Sequence, residues 1–73
     1  MTHNLKDYDR QRHEVLKRLD LHPGLTSKEL GQIYASEGYD RYVFARRLPE
    51  LRDLGLAKVV GRGERNQQLW ESH

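Results

Sequence analysis

The chain has 73 residues, 33% of them charged and 36% hydrophobic, with a formal net charge of +2; this is enough for one small domain, in which folding buries roughly 60% of the chain's unfolded surface. Cysteine is absent, which excludes disulfides and thiolate-held metals, and His3, His13, His22 and His73 are too scattered for a metal site, so no metal or other cofactor is expected. No apolar run approaches the ~20 residues of a membrane span, and Met1 to Asn4 lead into a charged segment rather than a secretory signal; a cytoplasmic or nucleoid-associated protein with no membrane partner is expected, not a secreted one.

The first predicted helix runs from about Leu5 to Asp20. Asn4 is placed to cap it, and Asp7 falls in the first turn, where the helix dipole favours a carboxylate. Leu5, Tyr8, Val15, Leu16 and Leu19 recur at helical spacing and define a buried stripe, which makes Tyr8 a core residue. Arg12 interrupts the stripe and is read as laying its stem on the core with its head in water. Glu14 stands four residues before Arg18, a favourable pair. Pro23 and Gly24 end the helix.

The second helix, about 27–37, opens on a Thr26-x-x-Glu29 capping box, with Leu25 and Leu30 placed as a hydrophobic staple. Leu30, Ile33 and Tyr34 form its apolar face. Gly31 costs about 1 kcal/mol relative to Ala in mid-helix, a penalty that close approach of another helix would explain. Gly38 is a natural terminator, and Tyr39 packs in the turn.

The third helix spans about Arg41 to Leu54, with Asp40 as its cap. Phe44, Leu48 and Leu51 share one face, flanked by Val43 and Leu54. Gly55 and Leu56 read as a Schellman ending. Pro49 removes the N–H that would bond the Ala45 carbonyl. The apolar period passes Pro49 without a phase change, which favours a kinked helix over a break restarting at Pro49. Residues 57–70 read as a hairpin: Val59 and Val60 on one arm, Leu69 and Trp70 on the other, and Gly61, Gly63 and Asn66 in the turn. Its register is open. A hairpin is marginal alone and must rest on the helices; a third short strand near Leu25 would complete a small sheet. Glu71 to His73 are expected to fray.

Charge is unevenly distributed along these elements. Residues 1–39 hold six Lys/Arg and six Asp/Glu; 41–47 hold three arginines and no acid; 58–65 hold three basic residues against Glu64. Local fields of this kind, rather than the net charge, attract a polyanion.

The element order, the capping box, the repeat Leu48, Leu51, Leu54 followed by Gly55 and Leu56, and the charged hairpin at Gly61 to Gly63 together resemble the winged helix-turn-helix family. The resemblance covers most of the chain. It implies a single mainly helical α+β domain over 1–73, built from three helices and a two-stranded hairpin wing. It also implies a small DNA-binding protein, a transcriptional regulator, that reads duplex DNA with the third helix in the major groove. On that pattern Arg41, Tyr42, Ala45 and Arg46 face the bases, where arginine can pair with guanine and a methyl or ring edge can meet thymine. Arg47 lies nearer the core boundary and reaches a phosphate or a local carboxylate. Lys58, Arg62 and Arg65 on the wing touch the backbone or the minor groove. Ser27 and Lys28, at the start of the second helix, can hold a phosphate. A homodimer, through the first helix or Trp70, or a larger protein partner would add affinity.

Two other readings stand beside this one. Charged helix faces are mostly just solvated, and winged helices also serve as protein-interaction modules in replication, repair or regulatory assemblies. Catalysis is not expected, for Asp20 and His22 flank a helix end with no nucleophile and a chain this short has little room for a pocket. Gly61-Arg62-Gly63 lacks the strand–loop–helix setting of a phosphate-binding loop.

Overall fold

A computed structural model describes the backbone from His3 to His73 and the side chains from Tyr8 onward. The elements are α1 (His3–Leu21), α2 (Ser27–Tyr34), a 3-10 turn (Ala35–Glu37), α3 (Arg41–Asp53), β1 (Ala57–Arg62), a second 3-10 turn (Glu64–Asn66) and β2 (Gln68–Ser72). Three helices followed by an antiparallel two-stranded hairpin give a mainly helical α+β fold with winged-helix-like topology. No described helix is long and apolar enough to cross a membrane.

One core joins all the elements. Val15 and Leu19 from α1, Leu30 from α2, Phe44, Leu48 and Leu51 from α3, Ala57 from β1 and Trp70 from β2 are each buried. The hairpin therefore rests on the helices, as its marginal stability alone requires. Trp70 is 2% exposed, so it is a core residue and not available as a dimer surface.

α1 is already helical at His3, which places Asn4 inside the helix instead of at its cap. The side chains of Leu5 and Asp7 lie outside the described residues. Tyr8 is 44% exposed and is not a core residue; the Arg47 guanidinium covers its ring at 4.9 Å. After Pro23, Gly24 turns with φ +84°. Its N–H donates to the Trp70 carbonyl (2.8 Å), and the Trp70 N–H donates to the Leu25 carbonyl (2.9 Å). The expected third strand is thus a single bridge, Leu25 to Trp70.

The capping box at α2 is complete. The Glu29 N–H donates to Thr26 Oγ1 (3.1 Å), and the Thr26 N–H donates to Glu29 Oε1 (2.9 Å). Gly31 is buried, and a Cβ built there would lie 2.3 Å from the backbone nitrogen of Arg41. The mid-helix glycine is where α2 meets the start of α3. This contact turns the buried side of α2 toward Gly31 and leaves Ile33, expected on the apolar face, 45% exposed. The α-helix ends at Tyr34, earlier than expected, and the 3-10 turn carries the chain to Gly38, whose φ is +89°.

Asp40 Oδ1 accepts from the N–H groups of Tyr42 and Val43, both at 3.0 Å, and so fixes the start of α3. The helix continues through Pro49 without a break. It ends in the expected Schellman arrangement: the Leu56 N–H donates to the Leu51 carbonyl and the Gly55 N–H to the Arg52 carbonyl, both at 2.9 Å. Leu54, expected to flank the apolar face, is the cap residue and is 62% exposed.

In the hairpin Val59 pairs with Trp70, but Gly61 pairs with Leu69, so Val60 is the extra residue of a β-bulge. Arg62 then stands opposite Gln68. Residues 71–73 do not fray. β2 continues to Ser72, whose hydroxyl donates to Asp20 Oδ1 (2.7 Å), and the His73 N–H donates to the Leu56 carbonyl (2.8 Å).

Candidate nucleic-acid interface

The candidate residues come from three elements that the fold brings to one place. The Asp40 cap and the Gly31 contact set the first turn of α3, which carries Arg41 and Tyr42, with Ala45 one turn on. The capping box sets the start of α2, which carries Ser27 and Lys28. The bulge at Val60 sets Arg62. A regular strand running on from the Val59–Trp70 pair would put Arg62 opposite Gln67; the bulge moves it to Gln68. Gln68 is two residues from the buried Trp70, and side chains alternate along a strand. Gln68 and its partner Arg62 therefore face the same side of the hairpin as Trp70, the side turned to the helices.

The outcome is an open groove of about 460 Å³ between the wing, α3 and the start of α2. Ser27, Lys28, Arg41, Tyr42, Ala45 and Arg62 line it, together with Asn66, Gln67 and Gln68. Three cations and no carboxylate face this space. Tyr42 is 70% exposed, and the Arg41 guanidinium lies 5.3 Å from its ring centroid. Such a pair presents a cation and a flat apolar surface together. Arg62 Nη1 donates to the Asn66 carbonyl (3.2 Å), which steadies the side chain and leaves most of its donors unused.

The other candidates lie elsewhere. Arg46 is exposed one turn beyond Tyr42 on α3, outside the groove lining. Lys58 is exposed opposite Glu71, toward the base of the hairpin rather than its tip. Arg65 lines a different groove, between the wing tip and α2, where Glu29 and Glu64 balance Lys28 and Arg65. Arg47 is 4% exposed. Its Nη1 donates to Glu50 Oε1 at 2.9 Å, and its guanidinium stacks on Tyr8. It serves the α1–α3 contact and is not at the groove; of the two roles foreseen for it, the local carboxylate is the one it takes.

The remaining arginines divide in a way that sequence reading did not anticipate. Arg12 Nε donates to Glu50 Oε1 (2.9 Å) and its Nη1 to Asp9 Oδ1 (2.8 Å), so its head is paired as well as wet. Arg18 bonds Glu14 (2.7 Å) and Glu37 (2.9 Å) and lies 4.0 Å over the Tyr39 ring. The Arg18 hydrogen bond holds the Glu14 carboxyl below its ordinary pKa. These pairs tie the helices together. Among the described residues, Arg41, Arg46, Arg62 and Arg65 have no carboxylate partner. The arginines paired with carboxylates thus belong to the helical scaffold, and the unpaired ones to α3's outer face and the wing.

The wing tip carries a backbone outlier. Arg65 (φ +53°) and Asn66 (φ +63°) are consecutive left-handed residues. Asparagine tolerates this region, but for arginine it is strained by roughly 1 kcal/mol or more. Arg65→Gly should therefore leave the urea midpoint unchanged or raise it, by up to about 1 kcal/mol in stability. A clearly lower midpoint would mean that the arginine side chain supports the fold.

Comparison with protein-family models, with curated proteins and with solved structures finds no match.

Proposed function

We propose that this protein belongs to the winged helix-turn-helix superfamily and binds duplex DNA as a small transcriptional regulator. The observation that carries the reading is the groove at which Lys28, Arg41 and Arg62 converge with no carboxylate among its lining residues. A cationic, open, partly aromatic surface is what a phosphate backbone and base edges require. In this reading the outer face of α3, with Arg41, Tyr42, Ala45 and Arg46, enters the major groove. Arg62 meets the adjacent backbone or minor groove, and Ser27 with Lys28 holds a phosphate. Arg65 and Lys58 contribute long-range charge. A chain without cysteine suits a reducing compartment, and we place its action in the cytoplasm or nucleoid.

A lone domain of this size makes few contacts, so dimerisation or a larger partner would raise affinity. If it dimerises, half-sites should be about one DNA turn apart. The second reading, a protein-interaction module for an acidic partner, would use the same cations.

The test is NMR titration with a duplex. Shifts should concentrate on the amides of residues 27–28, 41–46 and 62–68. An absence of shifts at low salt, or shifts confined to α1, would contradict the proposal. A parallel expectation concerns the wing: Arg62→Ala should weaken binding to most sequences and reduce the slope of log K against log salt by about 0.9, the value for one phosphate contact. An unchanged slope would remove Arg62 from the interface.

A further inference from the structure

We propose that Gln68 reads a base, so that sequence discrimination is shared between the wing and α3, and that the pair it reads is A·T. The inference rests on the duplex-binding reading above and deepens it. Gln68 is the first residue of β2, half-buried, and paired directly with Arg62. It shares the helix-facing side of the hairpin with Trp70 and lines the same groove as Tyr42 and Ala45 of α3.

The chemistry separates it from the cations around it. A phosphate offers only acceptors, and Lys28, Arg41 and Arg62 already supply donors. A carboxamide adds an acceptor beside its donors, which a phosphate would repel and a base edge can use. The adenine major-groove edge, N6 as donor and N7 as acceptor, matches a glutamine amide through two hydrogen bonds. The neighbouring Ala45 methyl and Tyr42 ring suit the thymine methyl of such a pair. Arg62 stands directly across the ladder from Gln68, held by the Asn66 carbonyl, so one cross-strand pair joins a backbone contact to a base contact.

The experiment selects binding sites from a randomised duplex library with the wild-type chain, Gln68→Ala and Gln68→Glu, each checked for cooperative thermal unfolding. The wild type should yield a site containing an A·T pair that Gln68→Ala no longer prefers, its preference there falling roughly 10-fold while other positions keep theirs. Gln68→Glu should shift that position toward cytosine, whose N4 amino group a carboxylate accepts from. Even loss across all positions would make Gln68 a backbone contact, and an unchanged site in both variants would place it outside the interface; either result overturns the inference and leaves duplex binding intact. A wild-type chain that retains no duplex overturns the duplex reading and this inference together.

Discussion

Gly31→Ala is expected to destabilise the protein by about 3 kcal/mol, although alanine is the better helix former by about 1 kcal/mol. The added Cβ would sit 2.3 Å from the Arg41 nitrogen, 2.6 Å from its Cα and 2.9 Å from the Asp40 carbonyl carbon. All three are backbone atoms, so no rotamer change relieves the clash, and α2 and α3 must separate. That separation opens the contact beside Leu30 and disturbs the Asp40 cap that orients Arg41 and Tyr42. A small domain has only a few kcal/mol of stability in total, so the variant should be largely unfolded or close to it at 37 °C. Urea unfolding followed by circular dichroism measures the effect. A midpoint equal to or above that of wild type would mean that the two helices do not meet at Gly31.

The second large effect is expected at Glu50. Its Oε1 accepts from both Arg12 and Arg47, and Arg47 is buried. Glu50→Ala would leave the Arg47 guanidinium without its carboxylate in a position that water scarcely reaches. Removing one partner of a buried pair typically costs about 3–5 kcal/mol; Glu50 itself is partly exposed, and with solvent screening about 2–3 kcal/mol is expected. Arg47→Met should cost much less, since replacing a buried charge by an apolar side chain of similar length is often near neutral. Thermal unfolding of the two variants gives the comparison. If Glu50→Ala is as stable as wild type, or Arg47→Met is the worse of the two, the ion pair is not what Arg47 contributes.

What was legible in the sequence was what short-range chemistry determines. Thr26 with Glu29, Asp40, Gly38, and Gly55 with Leu56 each act within a few residues, and each does in the structure what its type and position imply. Gly31 was legible as an anomaly whose explanation had to be a neighbouring helix. The core stripe of α3 followed from spacing alone. Features that depend on distant elements were not legible. Ile33 is exposed because the contact at Gly31 decides which side of α2 faces inward. The tail at Glu71 to His73 is held by Asp20 and Leu56, and neither bond leaves a trace in local composition.

The candidate site divides along the same line. Helix phase was enough to put Arg41, Tyr42 and Ala45 together. Arg47 was misjudged as a candidate contact because an arginine reads as a surface residue, yet it lies three residues after Phe44 and four before Leu51, on the edge of the buried face. The position of Arg62 depends on a bulge at Val60, and two adjacent valines give no sign of which one is extra. The separation of paired from unpaired arginines needs three dimensions, since Arg12 finds Glu50 and Arg18 finds Glu37 across the fold.

The central claim is that the convergence of Arg41 and Arg62 on one acid-free groove makes a surface for duplex DNA. Fluorescence anisotropy with a labelled random duplex, across a series of salt concentrations, tests it most directly on the wild-type chain and the Arg41→Ala/Arg62→Ala double variant. The account predicts that the wild type binds at low salt with an affinity that falls steeply as salt rises, and that the double variant, folded to the same unfolding midpoint, binds more weakly with a slope shallower by about 1.8, the value for two lost phosphate contacts. A wild-type chain that leaves the duplex unbound at low salt, or a double variant with the same affinity and the same slope, would contradict it.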